Sequence, residues 1–203
     1  INSNIISQTL RNDGTYIYSS DTTGTVNNNT TLTSTGSYNY GLYSAGTVRN
    51  NADINFGTGL GNVGIYSTHG GTATNSVGRS VTVGASYIDP NNSLNNRYAV
   101  GMAAGFNGDG NPARAYTGSV VNEGTINVNG PYSIGMYGTE AGTKVYNGTS
   151  KGSTATINLG ADNTTGMYLD NGAYGYNYGT IRSTGSGLKK LAGVVVKNGS
   201  TIE

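Results

Sequence analysis

Apolar residues in this chain do not recur at the spacing of an amphipathic helix for more than a turn. They come in short runs between Gly- and Asn-rich turns, and one phrase returns repeatedly: a glycine, an aliphatic residue and usually a tyrosine, as in YGLYSAG, VGIYSTHG, IGMYGTEAG and TGMYLDNG. The first landmark of each copy is a Gly–aliphatic pair: Gly41–Leu42, Gly64–Ile65, Gly101–Met102, Gly135–Met136, Gly166–Met167 and Gly193–Val194, with a degenerate copy at Tyr16–Ile17. The second is an aliphatic residue in a following strand: Leu32, Ile54, Val81, Ile126, Ile157, Ile181 and Ile202. The two alternate strictly. From the second landmark to the next glycine the distances are 9, 10, 20, 9, 9 and 12 residues, so one side of the repeat is nearly constant. From the first to the second they are 16, 13, 17, 25, 22, 15 and 9.

A repeat of roughly 20–50 residues made only of short strands indicates a solenoid or a propeller. A propeller blade needs four strands per repeat, whereas each copy here supplies two or three. The pattern therefore predicts an all-β chain, a parallel β-helix (β-solenoid) of about seven coils with lateral loop insertions. The inward aliphatic residues of each landmark would stack as one interior column, because no coil can bury its apolar face alone. The glycine before each aliphatic is expected at a corner, where it allows φ > 0 or close backbone approach. Asn50, Asn122, Asn177 and Asn198 are expected to form a side-chain ladder along the axis.

Composition agrees. The 203 residues include 34 Gly, 16 Tyr and no Cys or Trp, and 10% are charged. Disordered chains are typically charge-rich and poor in β-branched and aromatic residues, but Thr, Val, Ile and Tyr are abundant here and suit a pleated surface. The net charge is +1, with basic residues scattered from Arg11 to Lys197, which provides no electrostatic footprint for nucleic acid or an anionic membrane. No run approaches the roughly 20 apolar residues of a membrane helix. Without Cys there is no disulfide framework or thiolate metal site.

The copies GMYGTEAG, GMYLDNGAYGYNYGTI and NEGTINV resemble the passenger regions of large type V autotransporter adhesins, particularly the fusobacterial group. The resemblance covers roughly residues 36–203 and departs from the family pattern at Gly101–Ala104 and Val194–Val196. It implies a right-handed parallel β-helical stalk displayed at the outer membrane, on the cell surface, with 1–203 as one segment of a longer passenger. It also implies a role in attachment to host cells or partner bacteria, through a glycan or protein receptor, by a monomeric segment that does not itself insert in the membrane.

Candidate chemistry is sparse. The ten acids are Asp13, Asp21, Asp53, Asp89, Asp109, Glu123, Glu140, Asp162, Asp170 and Glu203. No two sit close enough to pair on one strand, as an acid/base or Ca²⁺ site requires. His69, the single histidine, reads as a solvated turn residue, and no G-x-S-x-G motif accompanies it. No enzyme activity, metal or cofactor is expected. The irregular segments 84–98, 105–118 and 138–153 read instead as insertions, which repeat scaffolds often place on a binding face. The last two are expected to lie against each other as one lateral bulge on neighbouring coils. The candidate ligand-binding residues they carry are Tyr87, Asp89, Asn92, Arg97, Tyr98, Asn107, Asp109, Arg114, Tyr116, Lys144 and Tyr146. The rival readings are a purely structural spacer for a distal binding tip and a polysaccharide-degrading β-helix.

Overall fold

The computed structural model describes residues 12–108 and 111–203, and these form a right-handed parallel β-helix with three sheets running along its axis. The first sheet stacks Thr15–Ser19, Tyr40–Ser44, Val63–Ser67, Val100–Ala104, Ile134–Thr139, Thr165–Asp170 and Ala192–Val196. The second stacks Thr25–Asn28, Thr47–Asn50, Thr72–Asn75, Ser119–Asn122, Lys144–Asn147, Tyr174–Asn177 and Thr201–Ile202. The third stacks Leu32–Thr33, Ile54–Leu60, Ser80–Ala85, Thr125–Val128, Thr156–Leu159 and Thr180–Ser183. Each coil visits the three sheets in turn.

In the second and third sheets alternation turns every second side chain inward; in the first sheet the glycine and the aliphatic residue after it both face the core, and the parallel register stacks like on like. Ile17, Leu42, Ile65, Met102, Met136, Met167 and Val194 form one unbroken column. Leu32, Ile54, Val81, Ile126, Ile157 and Ile181 form another. Leu42, Ile65, Met102, Met136, Met167, Ile54, Ile126 and Ile157 are fully buried, each stabilising the fold by roughly 1.5–3 kcal/mol relative to exposure. Ile202 does not continue the second column. It lies on the second sheet opposite Gly175, which accounts for the aberrant spacing of 9 residues before it.

The repeated glycines are not corners. Gly41, Gly64, Gly101, Gly135 and Gly166 lie inside first-sheet strands, buried, and outside the positive-φ region. What they answer is close approach. A Cβ on Gly135 would stand 2.6 Å from the Gly166 carbonyl oxygen and 2.6 Å from Ile157 Cγ2, and one on Gly101 would stand 2.6 Å from the Gly135 oxygen and 2.5 Å from Ile126 Cγ2. The third-sheet aliphatic residue thus fills the space that the first-sheet glycine leaves. This packing explains why the two landmarks accompany each other along the chain.

The second sheet carries a buried amide ladder. Asn28 Nδ2 donates to Asn50 Oδ1 (2.7 Å), Asn50 to Asn75 (3.0 Å), Asn75 to Asn122 (3.0 Å), Asn122 to Asn147 (2.9 Å) and Asn147 to Asn177 (2.9 Å). Asn198 lies outside it: its amide donates to Asp170 Oδ1 at 2.6 Å, on the turn after the first sheet. Asn28, Asn75 and Asn147 take the expected role instead.

The insertions leave the helix at three different corners. Residues 86–99 join the third sheet to the first, and 105–118 join the first to the second. Residues 138–153 contain the strand Lys144–Asn147, and their extra length, 148–155, joins the second sheet to the third. The expected single bulge does not form. Only the stems of the last two segments meet, where Gly118 N donates to Thr143 Oγ1 at 3.3 Å.

Candidate ligand-binding groove

The sequence-derived candidates separate accordingly. Tyr87, Asp89, Asn92, Arg97 and Tyr98 stand on the 86–99 insertion, Asn107, Arg114 and Tyr116 on the 105–118 hairpin, and Lys144 and Tyr146 on a second-sheet strand. Asp109 lies outside the described residues.

The 86–99 insertion is a self-contained loop. Its neck is closed by reciprocal backbone hydrogen bonds between Tyr87 and Arg97, both 2.9 Å. Its tip is organised by Asp89, which accepts from Asn95 Nδ2 (2.8 Å) and from the backbone N–H groups of Asn91 (2.8 Å) and Asn92 (3.2 Å). These donors, Asn95 first, lower the Asp89 carboxyl below its ordinary value. Asn92 caps the short 3-10 turn Ser93–Asn95 by accepting from Leu94 N. Asp89 and Asn92 therefore build the loop itself. In the 105–118 hairpin, Phe106–Asn107 pairs with Ala115–Tyr116, and Tyr116 stacks on the exposed His69 ring at 3.7 Å between centroids. Tyr146 stacks on Tyr176 at 4.5 Å and 8°, on the outer face of the second sheet.

A further concavity lies elsewhere, on the outer face of the first sheet. The residue after each inward aliphatic points out, which aligns Tyr18, Tyr43, Tyr66, Ala103, Tyr137, Tyr168 and Val195. Tyr43 meets Tyr66 at 4.9 Å, and Tyr137 meets Tyr168 at 6.0 Å. Ala103 interrupts this ladder. Tyr66 reaches to the next coil and donates to the Gly105 carbonyl at 2.8 Å, and the small side chain at 103 leaves that path open. Three columns back, the outward positions Val63, Val100 and Ile134 form an external apolar cluster with Ala103, flanked by Tyr40, Tyr66, Tyr137 and Tyr168.

On this floor a pocket of about 390 Å³ opens, lined by Tyr98, Val100, Tyr132, Ile134, Tyr137, Asn163, Thr165, Tyr168 and Asp170, within the size range of small-ligand sites. Tyr98, from the 86–99 insertion, and Tyr132 form one wall and are 46% and 47% exposed. Tyr132 adopts φ 61°, as does Tyr38 at the equivalent corner, and Asn163 adopts φ 58°. These are left-handed values that non-glycine residues rarely take. The corner thereby projects its side chains beside the sheet. Tyr137, Tyr168 and Asp170 form the other wall. Asp170 Oδ1 is held by Asn171 N (2.9 Å) and Asn198 Nδ2 (2.6 Å). Lys197 Nζ lies 5.7 Å from the Tyr168 ring centroid, and its contact with the Tyr168 phenol raises its pKa. Burial raises the phenol of Tyr137 above its ordinary value, as it does that of Tyr66 outside the pocket; a phenol of ordinary pKa is already a hydroxyl at neutral pH. The pocket thus combines aromatic faces with a fixed carboxylate and phenolic hydroxyls, which is the chemistry for stacking and hydrogen-bonding a polar ring.

Among the sequence-derived candidates only Tyr98 lines this pocket. Tyr132, Tyr137, Tyr168 and Asp170 escaped because the repeat itself disguises them as scaffold. Among the described residues no group of three or more His, Cys, Asp or Glu side chains could hold a metal ion, and no helix is long and apolar enough to cross a membrane.

No curated protein and no solved structure matches the chain. A family model does, that of the BigA third pectate lyase-like domain, over residues 44–180. That stretch begins at the end of the second first-sheet strand and includes the pocket floor, the 86–99 insertion and most of the amide ladder. The match points to a β-helical passenger region of the bacterial surface-adhesin kind. The chain belongs to the BigA third pectate lyase-like domain family.

Proposed function

We propose that this β-helix is a ligand-binding segment of an autotransporter adhesin passenger, of the fusobacterial type that its repeats resemble, and that it attaches the cell to glycans on host cells or partner bacteria. The observation that carries the reading is the tyrosine-lined pocket on the outer face of the first sheet, to which Tyr98, Tyr132, Tyr137, Tyr168 and Asp170 all contribute. Tyrosine supplies a large, rigid apolar face with a polar tip, and a positioned carboxylate accepts two adjacent hydroxyls. The display is extracellular, at the outer membrane, and the segment acts as a monomer without nucleic acid or direct membrane insertion. The recognition is non-catalytic: Asp170 is the one carboxylate lining the pocket, whereas glycoside hydrolysis uses two on opposite sides of the scissile bond.

Binding of the purified chain to host and bacterial cells, before and after enzymatic removal of surface glycans, tests this. The reading expects glycan-dependent binding that falls at least tenfold in Tyr98→Ala and Tyr168→Ala. Binding unchanged in both variants would move recognition off this face. Absence of binding by the folded parent chain would make the segment a spacer for a distal tip.

A further inference from the structure

The 86–99 insertion has two faces. Tyr98 lines the pocket described above, while its neighbour Arg97 points into a separate concavity of about 400 Å³, lined by Asp13, Tyr38, Tyr87, Asn95 and Arg97. Side chains adjacent in extended backbone diverge to opposite sides, so one loop serves both sites. The second lies over the first three coils, the first over the next three. At about 4.8 Å per coil, they follow one another along the axis.

The second concavity is organised by contacts internal to the protein. Tyr38, held at φ 61° by its corner, meets Tyr87 edge-to-face at 6.5 Å and 88°. The Arg97 guanidinium is anchored through Nη1 to the carbonyls of Asn96 (3.1 Å) and Leu94 (3.4 Å). The Asn95 amide is fixed by its Nδ2 bond to Asp89 Oδ2 at 2.8 Å. Arg97 is exposed, and a guanidinium fork matches a carboxylate in a bidentate arrangement. Two tyrosine faces, one anchored cation, one carboxylate and one amide together fit a ring with an apolar face, a carboxylate and several hydroxyls.

We infer that this concavity is a second binding site, for an acidic sugar residue: Arg97 receives the sugar carboxylate, Tyr38 and Tyr87 the ring, and Asp13 and Asn95 the hydroxyls. The choice of a sugar rests on the glycan reading of the neighbouring pocket. The presence of an anion site rests on Arg97 alone.

The test is an NMR titration of the isotopically labelled chain with galacturonic acid and, separately, galactose. Galacturonic acid is expected to shift resonances of Tyr38, Tyr87 and Asn95, with affinity about tenfold weaker in Arg97→Gln, as loss of a charge-assisted pair implies. The same weakening is expected when salt rises to 0.5 M. The Tyr87–Arg97 pairing is between backbone groups, so the variant keeps the neck of the loop while releasing the Leu94 and Asn96 carbonyls, and an unchanged spectrum away from the site verifies that the loop is retained. Tyr98→Ala should spare galacturonic acid binding and weaken galactose binding. Galacturonic acid that does not bind, binds without moving Tyr38 and Tyr87, or binds Arg97→Gln equally well overturns the acidic-sugar site. Galactose binding that survives Arg97→Gln but fails in Tyr98→Ala leaves the neighbouring pocket standing by itself.

Discussion

At the scale of single residues, the fold depends on atoms that are missing as much as on those present. Gly135→Ala introduces a methyl 2.6 Å from both the Gly166 oxygen and Ile157 Cγ2. Neither neighbour is the free end of a flexible chain, so overpacking should cost about 1–3 kcal/mol. Gly193→Ala is the control: its Cβ would meet nothing within 4 Å, and stability should be unchanged or slightly raised through lower unfolded-state entropy. Urea unfolding of the two variants checks the contrast, and equal midpoints would refute the packing account. Asn122→Ala offers a second comparison. It leaves the Asn75 amide and the Asn147 carbonyl oxygen without their ladder partners, at about 1–3 kcal/mol, while Asn198→Gly removes an exposed bond to Asp170 and suits the left-handed φ of 47° at that turn. The recurrence of these glycines was plain in the sequence, and close backbone approach was one of the two causes it suggested. Their place inside a strand was not legible, because a Gly in a turn-rich chain reads as a corner and only the stacked coils show which carbonyl and side chain crowd it.

At the scale of strands and loops, two of the three sheets were legible. Their landmarks are large aliphatic residues at unmistakable positions, Met102, Met136 and Met167 on one and Ile126, Ile157 and Ile181 on the other. The second sheet was hidden because its inward residue is small or varied: Val26, Val48, Ala73, Val120, Val145, Gly175 and Ile202. The constant feature there is an Asn two residues later, in TVNN, TVRN, TATN, SVVN, KVYN and YGYN. That polar signal would have located the ladder and excluded Asn198. Loop placement failed for the same reason, since without the second sheet the extra lengths of 105–118 and 148–155 both fell on the undivided variable side of successive repeats. The 86–99 insertion, by contrast, stood on the constant side and was recognised. Because its neck closes on itself, replacing 88–96 by a Gly–Asn turn should leave the far-ultraviolet spectrum intact and shift stability by less than about 1 kcal/mol. Ser86 must be retained, since its hydroxyl donates to the Tyr132 carbonyl and accepts from Ala99 N. A large loss of stability would show that the loop is part of the scaffold.

For the whole molecule, the outer face of the first sheet links stability to pH. Tyr40, Tyr43, Tyr66 and Tyr137 all have phenols raised above the ordinary value of about 10, chiefly by burial against one another and the apolar cluster. Raised acids keep their protons longer in the folded chain than in the unfolded one. Their contribution to stability is therefore complete below about pH 10 and disappears as pH climbs through the folded-state values. Tyr66 adds a specific loss, because its ionised oxygen can no longer donate to the Gly105 carbonyl. Each coil is stabilised mainly by its neighbours, so ionisation along a column spanning the coils should weaken the molecule throughout rather than at one end. The expected outcome is a urea midpoint that is level from neutral pH to about 9.5 and falls steeply above it, with tyrosinate absorbance at 295 nm rising in two stages, exposed phenols first. Tyr66→Phe keeps the ring and removes the titrating group; it should lessen the alkaline fall at a small cost at neutral pH. A single tyrosinate transition near pH 10 with no accompanying loss of stability would mean that water reaches this face freely, and that the tyrosine column is a solvent-exposed row rather than a packed wall.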